Sequence, residues 1–317
     1  MRGVAASVVD RILGLAQNTF REAARDRVPL ALFGAGLGIG VTSLLVAAMS
    51  LGRDRSEVVA VLTTASLSLF SLIGAIVLGA TLLYKDLERR TVFPILARPI
   101  RRGELLIGKH VGIVATIATF AFLEGALALT LTALSRDDVP MARALGGWGV
   151  VFLVSTAVLL RARDRSTPLL VLAPLLFSLQ FALVGPLGDL RSLVLASVVL
   201  AVLEATIVAA VSLVFGAFSS PFLTALCTTG IVLIGRNADL LAKLPERTFG
   251  PTLVAVGRGL ARVVPNLHIY VPPRVVLSGH AGGSLGGYLG EAAAYGLLYA
   301  IVLLVVSTLI FRRRDFA

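Results

Sequence analysis

The sequence predicts an all-α polytopic membrane protein, in which an amphipathic interfacial helix precedes six to eight transmembrane helices and both termini are cytoplasmic. The first observation is composition: 57% of the 317 residues are hydrophobic and 15% are charged, with a mean hydropathy of +0.92. Soluble domains average about 45–50% apolar and about 25% charged residues. The second is that apolar stretches of about 20 residues recur along the chain. The third is that Lys and Arg concentrate in segments predicted to share one side of the membrane.

The composition also excludes other classes of protein. The 31 Gly and 13 Pro are dispersed without a three-residue period, which excludes a collagen-like chain. One cysteine, Cys227, excludes a disulfide framework and a metal site built from several thiolates. The net charge of +11 would suggest nucleic acid as the partner of a soluble protein. In a membrane protein, the position of those charges matters instead.

Residues 1–27 are predicted to contain the amphipathic interfacial helix. Charged residues precede the first apolar run, which begins at residue 28, so we expect no cleavable signal peptide. At about 100° per residue, an apolar and a polar set of side chains fall on opposite faces of a helix over residues 7–27. The apolar face comprises Val9, Ile12, Leu13, Ala16, Phe20, Ala23 and Ala24, and the polar face comprises Asp10, Arg11, Asn18, Arg21, Glu22 and Arg25.

Residues 28–317 are predicted to form one transmembrane domain with eight candidate spans. Five stretches have the length of a membrane-spanning helix, namely residues 28–51, 58–84, 111–134, 192–216 and 292–311. Three are shorter or interrupted by proline, namely residues 145–160, 169–187 and 222–235. The segment 144–188 is interpreted as an additional hairpin. If this hairpin is re-entrant the number of spans is six, and both ends of the chain stay on one side.

The distribution of basic residues predicts the orientation. With the N-terminus inside and eight spans, the inner segments hold 18 Lys and Arg and the outer segments hold 11, six of them in the outer segment 236–290. Long loops translocate largely regardless of charge, so this asymmetry predicts cytoplasmic termini in the inner (plasma) membrane. The other large segment outside the spans is the cytoplasmic loop 85–110. The outer segment is expected to hold one or two short helices and a flexible Gly-rich run, 279–290, before the last span.

Three short motifs match catalytic or nucleotide-binding spacings but lack the required context. Residues 103–109 match G-x-x-x-x-G-K, but His110 stands where Ser or Thr should hold magnesium, and the segment runs into a span. Residues 282–286 match G-x-S-x-G without a predicted strand-to-helix turn. The four glycines within 34–40 have the G-x-x-x-G spacing of close helix packing. We therefore predict no catalytic residue, no metal site and no cofactor bound by this chain.

Two carboxylates, Glu124 and Glu204, lie deep within predicted spans. An acid within the membrane costs about 2.5–3.5 kcal/mol on insertion scales, which makes each a functional candidate. The structural alternative is that each is protonated or hydrogen-bonded to a neighbouring helix. The predicted spans contain no Lys or Arg to pair with them and no chain of acids that would form a proton relay.

The cytoplasmic loop is the most distinctive part of the sequence. It combines charged residues with a compact apolar set that includes Phe93, Ile95 and Leu96. Thr91 could cap a short helix and Pro99 would end it. A short amphipathic helix on a bend between two spans suits docking into a groove of a cytoplasmic partner. The alternative is an interfacial helix that contacts lipid headgroups alone.

In the cytoplasmic loop, residues 88–91, 96–101 and 105–109 resemble the corresponding loop of ABC-2 type exporter permeases, most closely those of the nitrous-oxide-reductase maturation and gliding-motility type. This is the most specific resemblance. Weaker matches are residues 19–27 to the family's interfacial helix, residues 215–221 to its tight cytoplasmic turn, and Pro265, Asn266 and Leu267 to its outer Pro-Asn-Leu element. The chain departs from the family at Arg90, where Gly is common, and at Arg101, where Ser is frequent. It also departs in the hairpin 144–188, because the family usually has six spans.

The resemblance implies the permease subunit of an ATP-driven ABC exporter. Two permease chains, as a homodimer or a heterodimer, would associate with two copies of a separate cytoplasmic ABC ATPase subunit, which would bind ATP and Mg. Membrane lipids are further partners, an accessory protein could contact the outer segment, and nucleic acid is not expected. The implied ATPase-coupling loop comprises Glu88, Arg89, Thr91, Phe93, Ile95, Leu96, Arg98, Pro99 and Arg101.

Three other functions share the bulk features of this sequence. A secondary transporter driven by an ion gradient would use Glu124 and Glu204. A membrane-embedded enzyme acting on lipid would need a cluster of His, Asp or Glu at one membrane face, which the sequence does not provide. A non-transporting assembly subunit differs in having no need for a coupling loop.

Overall fold

The computed structural model describes residues 7–50, 55–88, 101–161, 167–271 and 284–312. These residues form α-helices and two 3-10 turns, with no strand among them, which confirms the all-α prediction. The helices are α1 (Val8–Arg25), α2 (Arg27–Met49), α3 (Arg55–Glu88), α4 (Arg102–Leu134), α5 (Met141–Arg161), α6 (Leu169–Leu183), α7 (Asp189–Gly216), α8 (Pro221–Arg236), α9 (Ala238–Ala242), α10 (Glu246–Val263) and α11 (Leu285–Arg312). The 3-10 turns are Gly185–Leu187 and His268–Tyr270.

Six of these helices are long and apolar enough to cross a membrane: α2, α3, α4, α5, α7 and α11. The apolar helices α6 and α8 have 15 and 16 residues, which at 1.5 Å per residue is about 22–24 Å, less than the hydrocarbon layer of about 30 Å. The sequence analysis identified three shorter or proline-interrupted stretches, residues 145–160, 169–187 and 222–235. In the structure α5 reaches spanning length, and the short pair is α6 and α8. Helices α5 and α6 pack against each other as a hairpin.

Helices α3, α4 and α7 form the centre of the structure. In the apolar 18-residue stretch of each of these helices, between 61 and 72% of the residues are buried. The corresponding share in α2, α5 and α11 is 17 to 22%. The central core includes Leu82 from α3, Ile113 from α4 and Leu213 from α7. Large apolar side chains on these peripheral helices, such as Phe152 of α5 and Leu298 of α11, remain exposed. An exposed apolar surface of this extent is typical of a protein surrounded by lipid.

The glycines of α2 divide into two faces. A Cβ at Gly36 would lie 2.1 Å from Oε1 of Glu124, and one at Gly40 would lie 2.5 Å from Cδ1 of Leu131. These two glycines therefore let α4 approach α2 closely, as the G-x-x-x-G spacing predicted. Gly34 and Gly38 have no atom within 4 Å of the position a Cβ would take, so the second such pair contacts no described neighbour.

The Gly-rich run before the last span departs from the prediction of a flexible lead. Residues 272–283 lie outside the described ranges, but α11 already begins at Leu285. Gly286, Gly287 and Gly290 are therefore helical. The apolar residues that follow stabilise the helix enough to extend it by two turns beyond the predicted start at residue 292.

Candidate functional site

The predicted coupling loop lies largely outside the described residues. Helix α3 ends at Glu88, residues 89–100 fall in the gap, and description resumes at Arg101. The prediction of a short amphipathic helix there concerns residues about which the structure gives no account, including Arg89, Thr91, Phe93, Ile95, Leu96, Arg98 and Pro99. The structure does describe how the segments on both sides of the loop are held.

The segment after the loop is fixed by Glu104, whose carboxylate is buried. Oε2 of Glu104 accepts a hydrogen bond from the backbone N–H of Arg101 at 3.3 Å, which caps the start of α4. The guanidinium of Arg11 donates from Nε to Oε2 at 3.0 Å and from Nη2 to Oε1 at 2.9 Å. One carboxylate therefore joins the end of the loop to α1. The sequence placed Arg11 on the polar face of α1 and did not predict this partner.

Helix α1 lies alongside the first turns of α4 in a regular register. The pairs Arg11–Glu104, Leu15–Gly108 and Thr19–Gly112 are each 93 residues apart, so the two helices run in the same direction. A Cβ at Gly108 would lie 2.5 Å from Cβ of Leu15, and one at Gly112 would lie 2.5 Å from Cβ of Thr19. Gly108 and Gly112 thus form a close-packing seam for α1.

The structure has a helix, α1, within the segment 1–27 where the sequence predicted an amphipathic interfacial one. The contact with Gly108 and Gly112 determines which side of α1 is buried. Ala16 and Phe20, from the predicted apolar face, are buried together with Thr19. Val9 and Leu13, from the same face, are 62% and 57% exposed. The apolar face therefore divides between protein contact and a surface available to lipid.

The segment before the loop is held by Asp26, which lies between α1 and α2. Nζ of Lys85, near the end of α3, donates to Oδ2 of Asp26 at 2.8 Å. This hydrogen bond is the main reason that the pKa of Asp26 lies below its ordinary value. Further along α4, Nζ of Lys109 lies 3.6 Å from Oε2 of Glu22 and donates to the carbonyl of Leu82 at 3.2 Å. Helices α1, α3 and α4 are thus cross-linked around the loop.

A third contact reaches the last helix. Nη1 of Arg102, the first residue of α4, donates to the carbonyls of Phe311 and Arg312, both at 3.0 Å. A cation at the C-terminus of a helix satisfies carbonyls that have no partner within the helix and interacts favourably with the helix dipole. We call the contacts of Asp26, Lys85, Arg102 and Glu104 the loop platform.

Residues 103–109, which match the phosphate-loop spacing, form the first turns of α4. Gly108 of this motif serves the packing of α1, and Lys109 is buried in the contacts above. Among the described residues, no three side chains of His, Cys, Asp or Glu come close enough together to hold a metal ion.

Glu124 and Glu204 are both buried, but in different surroundings. Glu124 packs against Gly36 of α2, and its Oε2 has no partner among the described residues. Glu204 receives hydrogen bonds from Nε and Nη2 of Arg236, both at 2.8 Å. Nη2 of Arg236 also donates to Oγ of Ser68 at 2.6 Å.

The expectation that no basic residue would be within reach of these acids was wrong for Glu204. The sequence assigned Arg236 to the first position of the outer segment 236–290. Helix α8 is short, and it runs back beside α7, so its last residue lies beside Glu204. The length of α8 could have revealed this pair. Its 16 residues are fewer than a full span needs, so its last residue, Arg236, lies within the depth of the membrane-spanning helices.

The Pro265–Leu267 element joins three helices on the opposite side of the molecule. The N–H of Leu267 donates to the carbonyl of Gly235 at 3.0 Å, at the end of α8. The N–H of Asn266 donates to the hydroxyl of Tyr295 in α11 at 2.9 Å, and its Nδ2 donates to Asp239 in α9 at 2.9 Å. The described part of the outer segment thus contains α9, α10 and a fixed turn.

Comparison with known proteins does not place this chain in a family. No protein-family model matches the sequence, and no curated protein matches it significantly.

Proposed function

We propose that this chain is the permease subunit of an ATP-driven ABC exporter in the inner (plasma) membrane. Both termini would be cytoplasmic, α1 would lie in the membrane interface, and the coupling loop would contact a separate ATPase subunit that binds ATP and Mg. Two ATPase copies and a second permease chain, identical or related, would complete the transporter. The proposal rests on the sequence resemblance and on the asymmetric distribution of basic residues.

The structural observation that supports it best is the loop platform. Asp26 and Lys85 hold the segment before the loop, and Glu104 and Arg102 hold the segment after it. Through these contacts the loop is joined to α1, to the start of α2 and to the end of α11. A displacement of the loop would therefore move the first and last helices as well as α3 and α4.

This arrangement suits a transmission element. An ATPase can shift a permease between states only if it binds one state better than another. We expect Phe93, Ile95 and Leu96 to insert into the ATPase, with Glu88, Arg89, Arg98 and Arg101 fixing the orientation. The platform would then transmit a movement of the loop to the helices that it contacts.

Co-purification of this chain with a cytoplasmic ABC ATPase subunit, and ATP-dependent transport by the complex, test the proposal. Phe93→Asp and Leu96→Asp should abolish transport and weaken ATPase association while membrane insertion stays normal. The matched control is Leu240→Asp, an equally polar change at an exposed leucine of α9, on the side opposite the loop. Normal ATPase association and transport in both loop variants would overturn the assignment.

A secondary transporter driven by an ion gradient is the second candidate, because Glu124 has an oxygen without a partner among the described residues. Glu204, in contrast, is occupied by Arg236. In this second function, Glu124→Gln would abolish transport, and transport would not respond to ATP. In the exporter, Glu124→Gln should leave ATP-dependent transport largely intact.

A further inference from the structure

We propose that the groove between the first turns of α4 and the last turns of α11 binds an anionic phospholipid, from the leaflet on the side of the two termini. The groove has a volume of about 440 Å³. Its α11 wall runs from Ile301 to Arg312, and the first turns of α4 form the other wall. The hydroxyl of Thr308 donates to the carbonyl of Leu304 at 2.8 Å, so the wall is effectively apolar up to Arg312.

The length of the groove matches one leaflet. From Ile301 to Arg312 the helix rises about 16 Å at 1.5 Å per residue. Half of the hydrocarbon layer of a bilayer is about 15 Å. If Arg312 lies at the polar boundary, the far end of the groove lies near the middle of the bilayer. The apolar wall therefore has the extent of one acyl chain.

The end of the groove that lies nearest the loop is positively charged. Arg312 lines the groove, and Arg101 and Arg312 are exposed. Arg102 is bonded to the carbonyls of α11 and lies at the same end. The acid in the same turn of α4, Glu104, is engaged by Arg11. Basic pockets between transmembrane helices at one membrane face bind anionic lipid headgroups.

The charge at one end of the groove and its lateral opening favour a lipid as the occupant. Ile301, Val305 and Leu309 are exposed along one side, so the groove opens laterally to the surrounding lipid. An acyl chain can enter by this opening while a phosphate reaches the arginines.

Native mass spectrometry of the purified full-length chain tests this proposal. Titration with phosphatidylglycerol and, separately, phosphatidylcholine should show tighter binding of the anionic lipid. The double variant Arg101→Gln/Arg312→Gln should weaken phosphatidylglycerol binding about fivefold for each charge removed and leave phosphatidylcholine binding unchanged. Arg143→Gln, at an exposed arginine of α5 remote from the groove, is the matched control and should bind as the wild type does.

A second pair of variants tests the groove itself. Val305→Trp should fill it and remove the bound phosphatidylglycerol, whereas Val302→Trp, at an exposed valine of the same helix outside the groove, should retain it. Leu309→Trp replaces Val305→Trp if that variant does not fold. Equal binding of both lipids by the wild type, or retention of phosphatidylglycerol in the filled groove, would overturn the proposal. The readout needs no ATPase, so its failure is distinct from failure of the exporter assignment.

Discussion

Arg11 and Glu104 form a two-point ion pair between helices that are 93 residues apart in sequence, with N–O distances of 3.0 and 2.9 Å. The same carboxylate accepts the backbone N–H of Arg101, the last residue before α4. Because α1 continues almost directly into α2, this contact joins the end of the proposed coupling loop to the first spanning helix. Glu104 therefore helps to position both α1 and the start of α4.

Glu104→Gln should loosen α1 from α4, because the amide carries no charge and has a single oxygen for the contacts of Arg11 and Arg101. We expect roughly fivefold faster tryptic cleavage within α1, since cleavage follows the population of the opened state. Limited proteolysis in detergent, followed by mass spectrometry, measures this rate. The control is Glu246→Gln, which removes an exposed ion pair with Arg258. Unchanged cleavage in Glu104→Gln would show that α1 is held by packing alone.

Gly112→Ala should destabilise the packing of α1. The added Cβ would lie 2.5 Å from Cβ of Thr19 and 2.7 Å from the carbonyl oxygen of Ala16, and a backbone atom cannot turn aside. Overpacking of this kind costs about 1–3 kcal/mol. The matched control is Gly38→Ala, where no atom lies within 4 Å and the better helix propensity of alanine should be neutral or stabilising. Thermal unfolding in detergent compares the two, and equal melting temperatures would contradict the seam.

The existence of α1 could be predicted from sequence, but its packing could not. The 100° pattern predicts a helix, and the structure has one from Val8 to Arg25. A helical wheel ranks side chains by polarity, however, and does not show which neighbour offers a close approach. Gly108 and Gly112 provide that approach, and in sequence they fall within or beside a motif with phosphate-loop spacing. The exposed side of α1 follows from their position.

The partner of Glu204 illustrates a second limit. A residue's depth in the membrane follows from where its helix begins and how long it is, and boundaries are the least certain part of a sequence-based assignment. Arg236 was assigned to the outer segment because it ends an apolar stretch. Only the antiparallel return of α8 along α7 places it beside an acid 32 residues earlier.

The contact between Asp26 and Lys85 should make stability depend on acid pH. The pKa of Asp26 is lowered in the folded protein from its ordinary value of 3.8, chiefly by the hydrogen bond from Lys85. Its stabilising effect is therefore present above pH 3.8 and is lost as the pH falls through the lower, folded-state pKa. Melting temperatures in detergent at pH 7, 5 and 3 should converge for the wild type and Asp26→Asn at the acid end. Lys85→Gln should lose the same pH dependence, and a constant difference between wild type and Asp26→Asn at every pH would contradict the linkage.

Arg236→Gln should be the most destabilising of these substitutions. Glu204 is fully buried, and Arg236 supplies both hydrogen bonds that the structure describes to its carboxylate. Removing one partner of a buried ion pair costs about 3–5 kcal/mol, because the remaining charge is left in a medium of low polarity. Thermal unfolding of the purified protein in detergent should show this loss. Arg258→Gln, which breaks an exposed ion pair with Glu246, is the control and should change stability little.

The double variant Glu204→Gln/Arg236→Gln tests whether these two side chains stabilise the protein by interacting with each other or by independent packing contacts. It removes the buried charge together with its partner, so it should be more stable than Arg236→Gln alone. This recovery requires that the two side chains act on each other, as a double-mutant cycle detects. If the losses of stability in Glu204→Gln and Arg236→Gln add up to the loss in the double variant, Glu204 and Arg236 contribute independently. The short α8 is then positioned by its apolar contacts and by the hydrogen bond from the N–H of Leu267 to the carbonyl of Gly235.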